Sequence, residues 1–487
     1  MIEMKRYNLI KTSGMVLGAA ILWLSSCQDF LKENPQDRIA QDRFYQTAED
    51  ANAAVNSVYS NLGSTSSGPE GIYHSTTWIS AGLASDELIN KQEGAIANDQ
   101  LATFSWNAEN SSVSTMWRIH YKTITLANIA IERIPPINMD ETLRTRLVNE
   151  AKFLRAMSYF NLVRMFGNVP LLLTEEEPLD PEVAGVNTIY DQIISDLKSA
   201  EGLPLDGAIQ EGRATSGAAK ALLAKVYLTR KDFQNASAKA LEVIQSNKYA
   251  LWDNYGDVFK HTSRNGKEAL FSVSFGDGGG SISFWEFGQF NVRLLPPELS
   301  KEIAGIRNTQ GWQAATKDLY DSFSDQDERK KVTFLTEFQN DKGATIKLKD
   351  IYIQKYWDRT AEPVAGDSQQ DFPVIRYPDV LLTYAEAQAE LGNFAVANQY
   401  VNLVRERANL PKVNLAGAAA LKEEILDQRR KEFVAEGHRW YDLVRTGTLA
   451  AKVQKAKSIA VKSTYDLFPI PQRERDVNTK LPQNPGY

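Results

Sequence analysis

The sequence predicts a mainly α protein of paired helices, interrupted by long irregular loops and a few short strands. Three observations carry that expectation. Apolar residues recur at helical steps through much of the chain, one helical hairpin occurs in two diverged copies, and two long stretches rich in Gly, Ser and Asn break the pattern while keeping many aromatic rings. The 487 residues are 43% hydrophobic, 24% charged and 10% aromatic, enough apolar surface for a large core and too much for a disordered chain. Lys and Arg number 55 against 61 Asp and Glu, a formal net charge of -6 without a long basic run. That balance argues against a surface built to neutralise phosphates, so nucleic acid is not an expected partner.

The first element reads as an export signal. Lys5, Arg6 and Lys11 precede an apolar stretch at 15–24, about half the ~20 residues a membrane-spanning helix needs. It runs into Leu24-Ser25-Ser26-Cys27, the pattern at which bacterial lipoproteins are cleaved and acylated. Residues 1–26 are therefore expected to be a lipoprotein signal peptide and Cys27 the lipidated first residue of the mature chain. Cys27 is the single cysteine, which excludes an intrachain disulfide and any CxxC motif. Acyl chains on Cys27, at about 0.8 kcal/mol per buried methylene, would hold a soluble body on a membrane. No later segment approaches 18 uninterrupted apolar residues, and 28–35 can serve as a tether.

The body then reads in order. Helical periodicity fits 48–61, and 63–114 follows as an irregular stretch that carries Tyr73, Trp78, Phe104 and Trp106. Helices are expected at 115–134 and 147–166; in the latter, Leu147, Ala151, Leu154, Met157, Phe160, Val163 and Phe166 form one stripe that Gly167 and Pro170 end. After a helix at 188–200 comes the first hairpin: Ala224, Tyr227 and Leu228, the turn Lys231-Asp232-Phe233, then Ala236, Ala240 and Val243. Its copy has Ala385 and Ala389, the turn Gly392-Asn393-Phe394, then Ala397, Val401 and Val404. Small residues where helices cross, and an aromatic after a polar turn, are marks of tetratricopeptide-type pairs. Between the copies lie a strand at 269–275, a Gly-rich aromatic loop at 276–318 and a second strand at 346–356; helical pattern resumes at 379–391 and 418–437. Loops this long are usually functional, and their aromatics argue against plain disorder.

Motifs for catalysis, metals and cofactors are missing. His74, His120, His261 and His438 are scattered without HExxH, and the Gly-rich run 276–281 lacks the Gly-Lys-Ser/Thr ending of a phosphate loop. Gly279-Gly280-Ser281-Ile282-Ser283 fails as a nucleophile elbow because its fifth position is not Gly. Asp325-Gln326-Asp327-Glu328 lacks the rest of a calcium loop and reads as a solvated corner. No catalytic residue, metal ligand or cofactor is expected, and the sequence leaves open whether a structural calcium orders a loop. A glycosidase would need two facing carboxylates, which no motif singles out. Glu432, Glu436, Arg439 and Asp442 fall at helical steps and are expected to pair along one face as a structural lock, with Phe433, Trp440 and Leu443 inward. Trp106 and Trp117 are expected in the core.

Six blocks stand out: Cys27-Gln28-Asp29-Phe30-Leu31 with Pro35; Ala151-Lys152-Phe153-Leu154-Arg155-Ala156 with Phe166-Gly167-Asn168-Val169-Pro170; Asn265-Gly266-Lys267-Glu268-Ala269-Leu270-Phe271; Arg376-Tyr377-Pro378-Asp379; Arg429-Arg430-Lys431-Glu432-Phe433 with Glu436-Gly437-His438-Arg439-Trp440; and the ending Gln483-Asn484-Pro485-Gly486-Tyr487. Together they resemble the SusD/RagB family of surface nutrient-binding lipoproteins of Bacteroidetes. Gln428 and Thr446 depart from the family pattern without touching function. The resemblance implies about four tetratricopeptide-like helix pairs in a right-handed superhelical scaffold, forming one unit over 27–487 with loop insertions around 63–114 and 276–375. It further implies a non-enzymatic lipoprotein of the outer membrane, facing the cell exterior, that captures oligosaccharide and delivers it to a partner TonB-dependent, SusC-like transporter. A RagB-like lid for oligopeptides is the alternative, and a surface glycan hydrolase a weaker one.

The residues themselves point to the same loops. A pyranose presents a face of C–H groups that an indole or phenol ring covers, while amides and carboxylates bond its hydroxyls. Trp78, Trp285 and Trp312 are the first candidates for such a platform, followed by Tyr73 and Phe284, with Asn98, Asp99 and Arg307 as polar partners.

Overall fold

The computed structural model describes residues 44–63, 70–176, 178–205, 212–275, 288–357, 359 and 370–487. The expected leader, Cys27, Phe284 and Trp285 lie outside the described residues. Helix α1 (Ala48–Ser60) opens on a capping box in which Thr47 Oγ1 accepts from the Asp50 N–H and the Asp50 carboxylate accepts from the Thr47 N–H. Next come α2 (Thr76–Leu83), β1 (Leu88–Asn90) and α3 (Ile96–Thr103), and then the long α4 (Ser111–Arg133) and α5 (Glu141–Phe166), N-capped by Asn110 and Asp140. The short strands β2 (Val169–Pro170) and β3 (Val183–Ala184) pair before α6 (Val186–Ala200), α7 (Ser216–Thr229) and α8 (Phe233–Gln245). The irregular half supplies β4 (Ala269–Val273), α9 (Phe290–Leu294), α10 (Pro297–Glu302), β5 (Gln313–Ala315), α11 (Lys317–Asp321), α12 (Glu328–Thr333), β6 (Phe334–Gln339), β7 (Thr345–Ile353) and β8 (Phe372–Arg376). The chain closes with α13 (Tyr377–Glu390), α14 (Phe394–Arg407), α15 (Ala418–Glu432), α16 (Arg439–Arg445), α17 (Leu449–Lys457) and α18 (Gln472–Val477).

The protein is thus mainly α, and its helices pack as a row of neighbours: α4 on α5, α5 on α6, α6 on α7, α7 on α8, α8 on α13, and α13 on both α14 and α15. The two hairpins foreseen from sequence are α7/α8 and α13/α14, and their helices begin at equivalent positions. Each turns through one left-handed residue, Lys231 (φ 62°) in the first and Gly392 (φ 82°) in the second. Ala224, Ala236, Ala240, Ala385, Ala389 and Ala397 are all buried at the crossings. The copies also bond to each other, Gln388 Nε2 donating to Ser237 Oγ at 2.6 Å. All the strand pairs are two-stranded and antiparallel: β1 with β5, β2 with β3, β4 with β8 and β6 with β7. A main core cluster runs from Ala51 to Leu481.

Three expectations are corrected. The stretch 63–114 is not irregular throughout, because it holds α2, α3 and β1; Thr77 to Leu83 are all buried, so no one-sided stripe marked the helix. The helix expected over 418–437 ends at Glu432, and the chain turns at Ala435 (φ 56°) and Gly437 (φ 74°) before α16. Glu432, Glu436, Arg439 and Asp442 therefore share no helix face, and each pairs with a distant element instead. Likewise Asp327 is not solvated: it is buried and bonds the buried Arg329 at 2.8 Å.

These ions form a buried lattice that ties the irregular half to the helices. Arg376, at the end of β8, reaches Glu268 at 2.6 Å, Glu432 at 2.9 Å and Glu436 at 2.9 Å. Arg329 and Arg407 also contact Glu432, and Lys355 bonds Glu436 at 2.6 Å. Arg429 joins Asp379 at 2.6 Å to Asp442 at 2.7 Å. Arg439 and Arg430 hold Asp86, just before β1, at 2.7 and 3.1 Å. Burial alone would raise the Glu432 carboxyl, but Arg407, Arg376 and Arg329 hold it well below the usual range.

Next to Asp86, Glu87 is buried with neither carboxylate oxygen hydrogen-bonded among the described residues. Burial pushes its pKa up to about 8 despite nearby arginines. Because the folded value lies above the unfolded 4.5, this contribution to stability is complete below about pH 4.5 and lost as pH rises through 8. Glu87→Gln is expected to abolish that loss, so the fall in urea midpoint between pH 5 and pH 8.5 should shrink in the variant. An unchanged fall would contradict the assignment.

Candidate functional site

The candidate platform lies where β1 and β5 meet. Asn90 pairs with Gln313 and Leu88 with Ala315, and the Lys91 N–H donates to the Trp312 carbonyl at 2.7 Å, which locks Trp312 beside the end of β1. From the other side, the N–H groups of Gln310 and Gly311 both donate to the Val292 carbonyl in α9, at 2.8 and 3.3 Å. Arg293 follows Val292, and its guanidinium lies 5.0 Å from the centre of the Trp312 ring. Trp312 remains part-exposed, so the cation backs the ring without enclosing it.

Arg293 is fixed in turn. Its Nη2 donates to Ser75 Oγ at 3.2 Å, and Ser75 and Thr76 donate to the Glu70 carboxylate, which caps the start of α2. Burial lowers the Arg293 pKa to about 10, with Glu70 opposing the shift. Burial would raise Glu70, but the His74 ring 3.8 Å away and hydrogen bonds from Ser75 and Thr76 bring it down to about 2, so it is a full anion at neutral pH. The feet of the segment 64–69 meet here, as the Ile72 and Tyr73 N–H groups donate to the Asn61 and Leu62 carbonyls. Those of 276–287 are close by, with Phe275 and Phe290 rings 5.8 Å apart.

Polar groups line the β1 side. Asn90 Nδ2 donates to Asp99 Oδ1 at 2.7 Å, Asn98 Nδ2 donates to Gln92 Oε1 at 3.2 Å, and Lys91 pairs with Asp350 at 2.9 Å. Asn98 and Asp99 thus bond Gln92 and Asn90 at the end of β1, and Trp312 is bonded to the intervening Lys91 through its backbone. Arg307 is exposed on the connection between α10 and β5, and no contact joins it to the Trp312 ring.

Trp78 and Tyr73 are placed differently from the expectation. They are 1% and 7% exposed, and their rings stack on Phe372 at 6.3 and 5.2 Å, so neither offers an open face in this structure. An indole on an eight-residue helix buried on every side works as a core wedge. Trp106 and Trp117, expected in the core, are buried there. Sequence reading missed Arg293 and Glu70; the one signal available was a lone arginine within the apolar run Phe290-Asn291-Val292-Arg293-Leu294-Leu295. It also missed Trp357, part-exposed with the Arg359 guanidinium 4.2 Å from its ring. Among the described residues no group of three or more His, Cys, Asp and Glu could hold a metal ion.

Comparison with known proteins places this geometry in context. The family model described as "SusD family" matches residues 347–487, and the one described as "Starch-binding associating with outer membrane" matches 29–228. SusD-like protein P2 of Formosa agariphila is 30% identical over 99% of this chain and 100% of its own. The chain belongs to the SusD-like family. A SusD superfamily protein of Parabacteroides distasonis shares the fold at a TM-score of 0.79 with 28% identity, covering 92% of this chain and 100% of its own. A laminarin-binding SusD-like protein matches at a TM-score of 0.77, also with 28% identity, over 91% of this chain and 100% of its own. Trp312 and Arg293 fall between the two segments matched by family models, so the platform is a reading of this chain rather than of the models. Among the described residues of this SusD-like chain, no helix is long and apolar enough to cross a membrane.

Proposed function

We propose that the protein is a non-catalytic glycan receptor, anchored in the outer membrane through lipid on Cys27 after removal of residues 1–26, and facing the cell exterior. It captures oligosaccharide on the Trp312 platform and delivers it to a TonB-dependent, SusC-like transporter. The observation that carries the reading is Trp312 itself: a part-exposed indole backed by Arg293 and bonded through its backbone to the end of β1, on a chain whose relatives include a laminarin-binding protein. Sugar C–H groups cover such a ring while amides and carboxylates bond hydroxyls. Trp285 and Phe284, on the segment whose feet lie beside the platform, are proposed to complete it, with Arg307 at its margin.

Affinity electrophoresis of the chain from residue 27 in gels containing starch, laminarin or other glycans tests this reading. Retardation by at least one glycan, with no new reducing ends on incubation, is the expected result. Release of reducing ends would convert it to a hydrolase, and binding of oligopeptides with no retardation by any glycan would convert it to a peptide receptor. Cys27→Ser is expected to move the protein from the membrane to the soluble fraction of cells.

The residue before the ring gives a finer test. Gly311 has φ 59°, and a Cβ there would stand 2.6 Å from the Tyr352 ring and 3.1 Å from Pro297. Gly311→Ala is expected to displace Trp312 and weaken glycan binding several-fold, with about 1–2 kcal/mol of lost stability from the left-handed backbone. Unaltered affinity would show that the platform tolerates the shift.

A further inference from the structure

A separate chamber lies between α5, α6, α7 and α16, and its smaller part also touches Thr77 and Trp78 of α2. Two cavities meet there, one of about 50 Å³ and one of about 170 Å³, and Arg164, Lys225, His438 and Tyr441 line both. The guanidinium of Arg164 is clamped between the rings of Phe160 and Tyr441, 3.8 and 3.9 Å from their centres. Its Nε donates to the Phe160 carbonyl at 2.9 Å and its Nη2 to Asn161 Oδ1 at 2.5 Å, while Asn161 Nδ2 donates to the Tyr73 hydroxyl at 3.4 Å.

The neighbouring cations all have carboxylates. Lys225 pairs with Asp379, Arg429 with Asp379 and Asp442, and Arg445 with Glu386 and Asp442. Glu436, on the smaller cavity, is taken up by Lys355 and Arg376. His438 receives Lys225 Nζ at 2.8 Å and is held neutral, its pKa pushed well down by burial and by Lys225. Arg164 has no carboxylate partner among the described residues, and the hydroxyls of Tyr190 and Tyr441 on the cavity walls have no hydrogen-bond partner among them. Arg164 is part-exposed where it lines the cavities, and a guanidinium without a carboxylate partner presents a fork matched to a carboxylate, phosphate or sulfate.

We propose that this chamber binds one small oxyanion on Arg164, with the Tyr190 and Tyr441 hydroxyls as further donors. A cavity of about 150 Å³ holds a six-carbon ring, so the chamber takes inorganic phosphate, sulfate or a short carboxylic acid whole and excludes an oligosaccharide. The proposal does not rest on the glycan reading.

Calorimetry and thermal unfolding of the chain from residue 27, dialysed free of oxyanions and titrated with phosphate, sulfate, acetate or lactate at constant ionic strength against chloride, test the proposal. The expected result is saturable one-to-one binding of at least one oxyanion with a rise in unfolding temperature, and the four titrants separate phosphate-type from carboxylate ligands. Arg164→Gln should weaken that binding at least tenfold. Val444→Phe, which fills the larger cavity and leaves Arg164 in place, should do the same, and both should leave glycan retardation unchanged. No saturable binding of any of the four to the unaltered protein would overturn the proposal, as would equal affinity in the Val444→Phe variant.

Discussion

Replacing Arg376 with Met is expected to destabilise the fold by about 3–5 kcal/mol, because one guanidinium satisfies three buried carboxylates and its loss leaves Glu268, Glu432 and Glu436 under-compensated. Arg407 still reaches Glu268 at 3.3 Å as well as Glu432, Arg329 reaches Glu432 and Lys355 reaches Glu436, so each of the three keeps part of its compensation. Lys317→Ala is the matched control. Lys317 pairs with Asp321 on the surface, with side chains 80% and 51% exposed, and its loss should stay within about 0.5 kcal/mol. Denaturant midpoints of the two variants measured side by side decide the matter; equal small shifts would mean that the buried lattice contributes little. The acid side follows the same logic. Asp379, Glu432 and Asp442 are held below their ordinary values, so their stabilisation is present above about pH 4 and is lost as pH falls below it.

Trp312→Ala is expected to weaken glycan binding by roughly 30-fold, corresponding to about 2 kcal/mol, the loss typical of a dominant aromatic contact at an interface. Stability should change little, since the ring is part-exposed and the strand pairing that holds it uses only backbone groups. Trp78→Ala is expected to behave in the opposite way. It removes a fully buried indole and should destabilise by about 3–5 kcal/mol. Binding by whatever fraction remains folded should be intact. If Trp78→Ala abolished binding in a folded protein while Trp312→Ala did not, the platform would have to be placed at Trp78 instead.

The helical hairpins were legible because their signal is local. Ala224 and Ala385 sit where two helices must approach, and the polar turns Lys231-Asp232 and Gly392-Asn393 both end one helix and start the next, Asp232 capping α8 with its side chain. Helix α2 was hidden because burial on all sides erases periodicity, and the same burial made Trp78 look like a loop ring. The late acidic and basic residues were recognised as a lock, but their partners were not. Arg376, Asp379 and Asp86 lie far away in sequence, and a helix that breaks at Ala435 and Gly437 has no fixed face for pairing. For the proposed platform, loop composition singled out Trp312, Asn98 and Asp99. Arg293 left only the weak signal of a lone arginine in an apolar run and Glu70 none, because the bonds from Gly311 to Val292 and from Arg293 to Ser75 join segments far apart in sequence.

The structure of the protein with a bound oligosaccharide decides whether Trp312 carries the sugar. A pyranose ring is expected on the face of Trp312 opposite Arg293, with its hydroxyls bonded by groups from the β1 side. A saccharide bound elsewhere, with the Trp312 face bare, would contradict it.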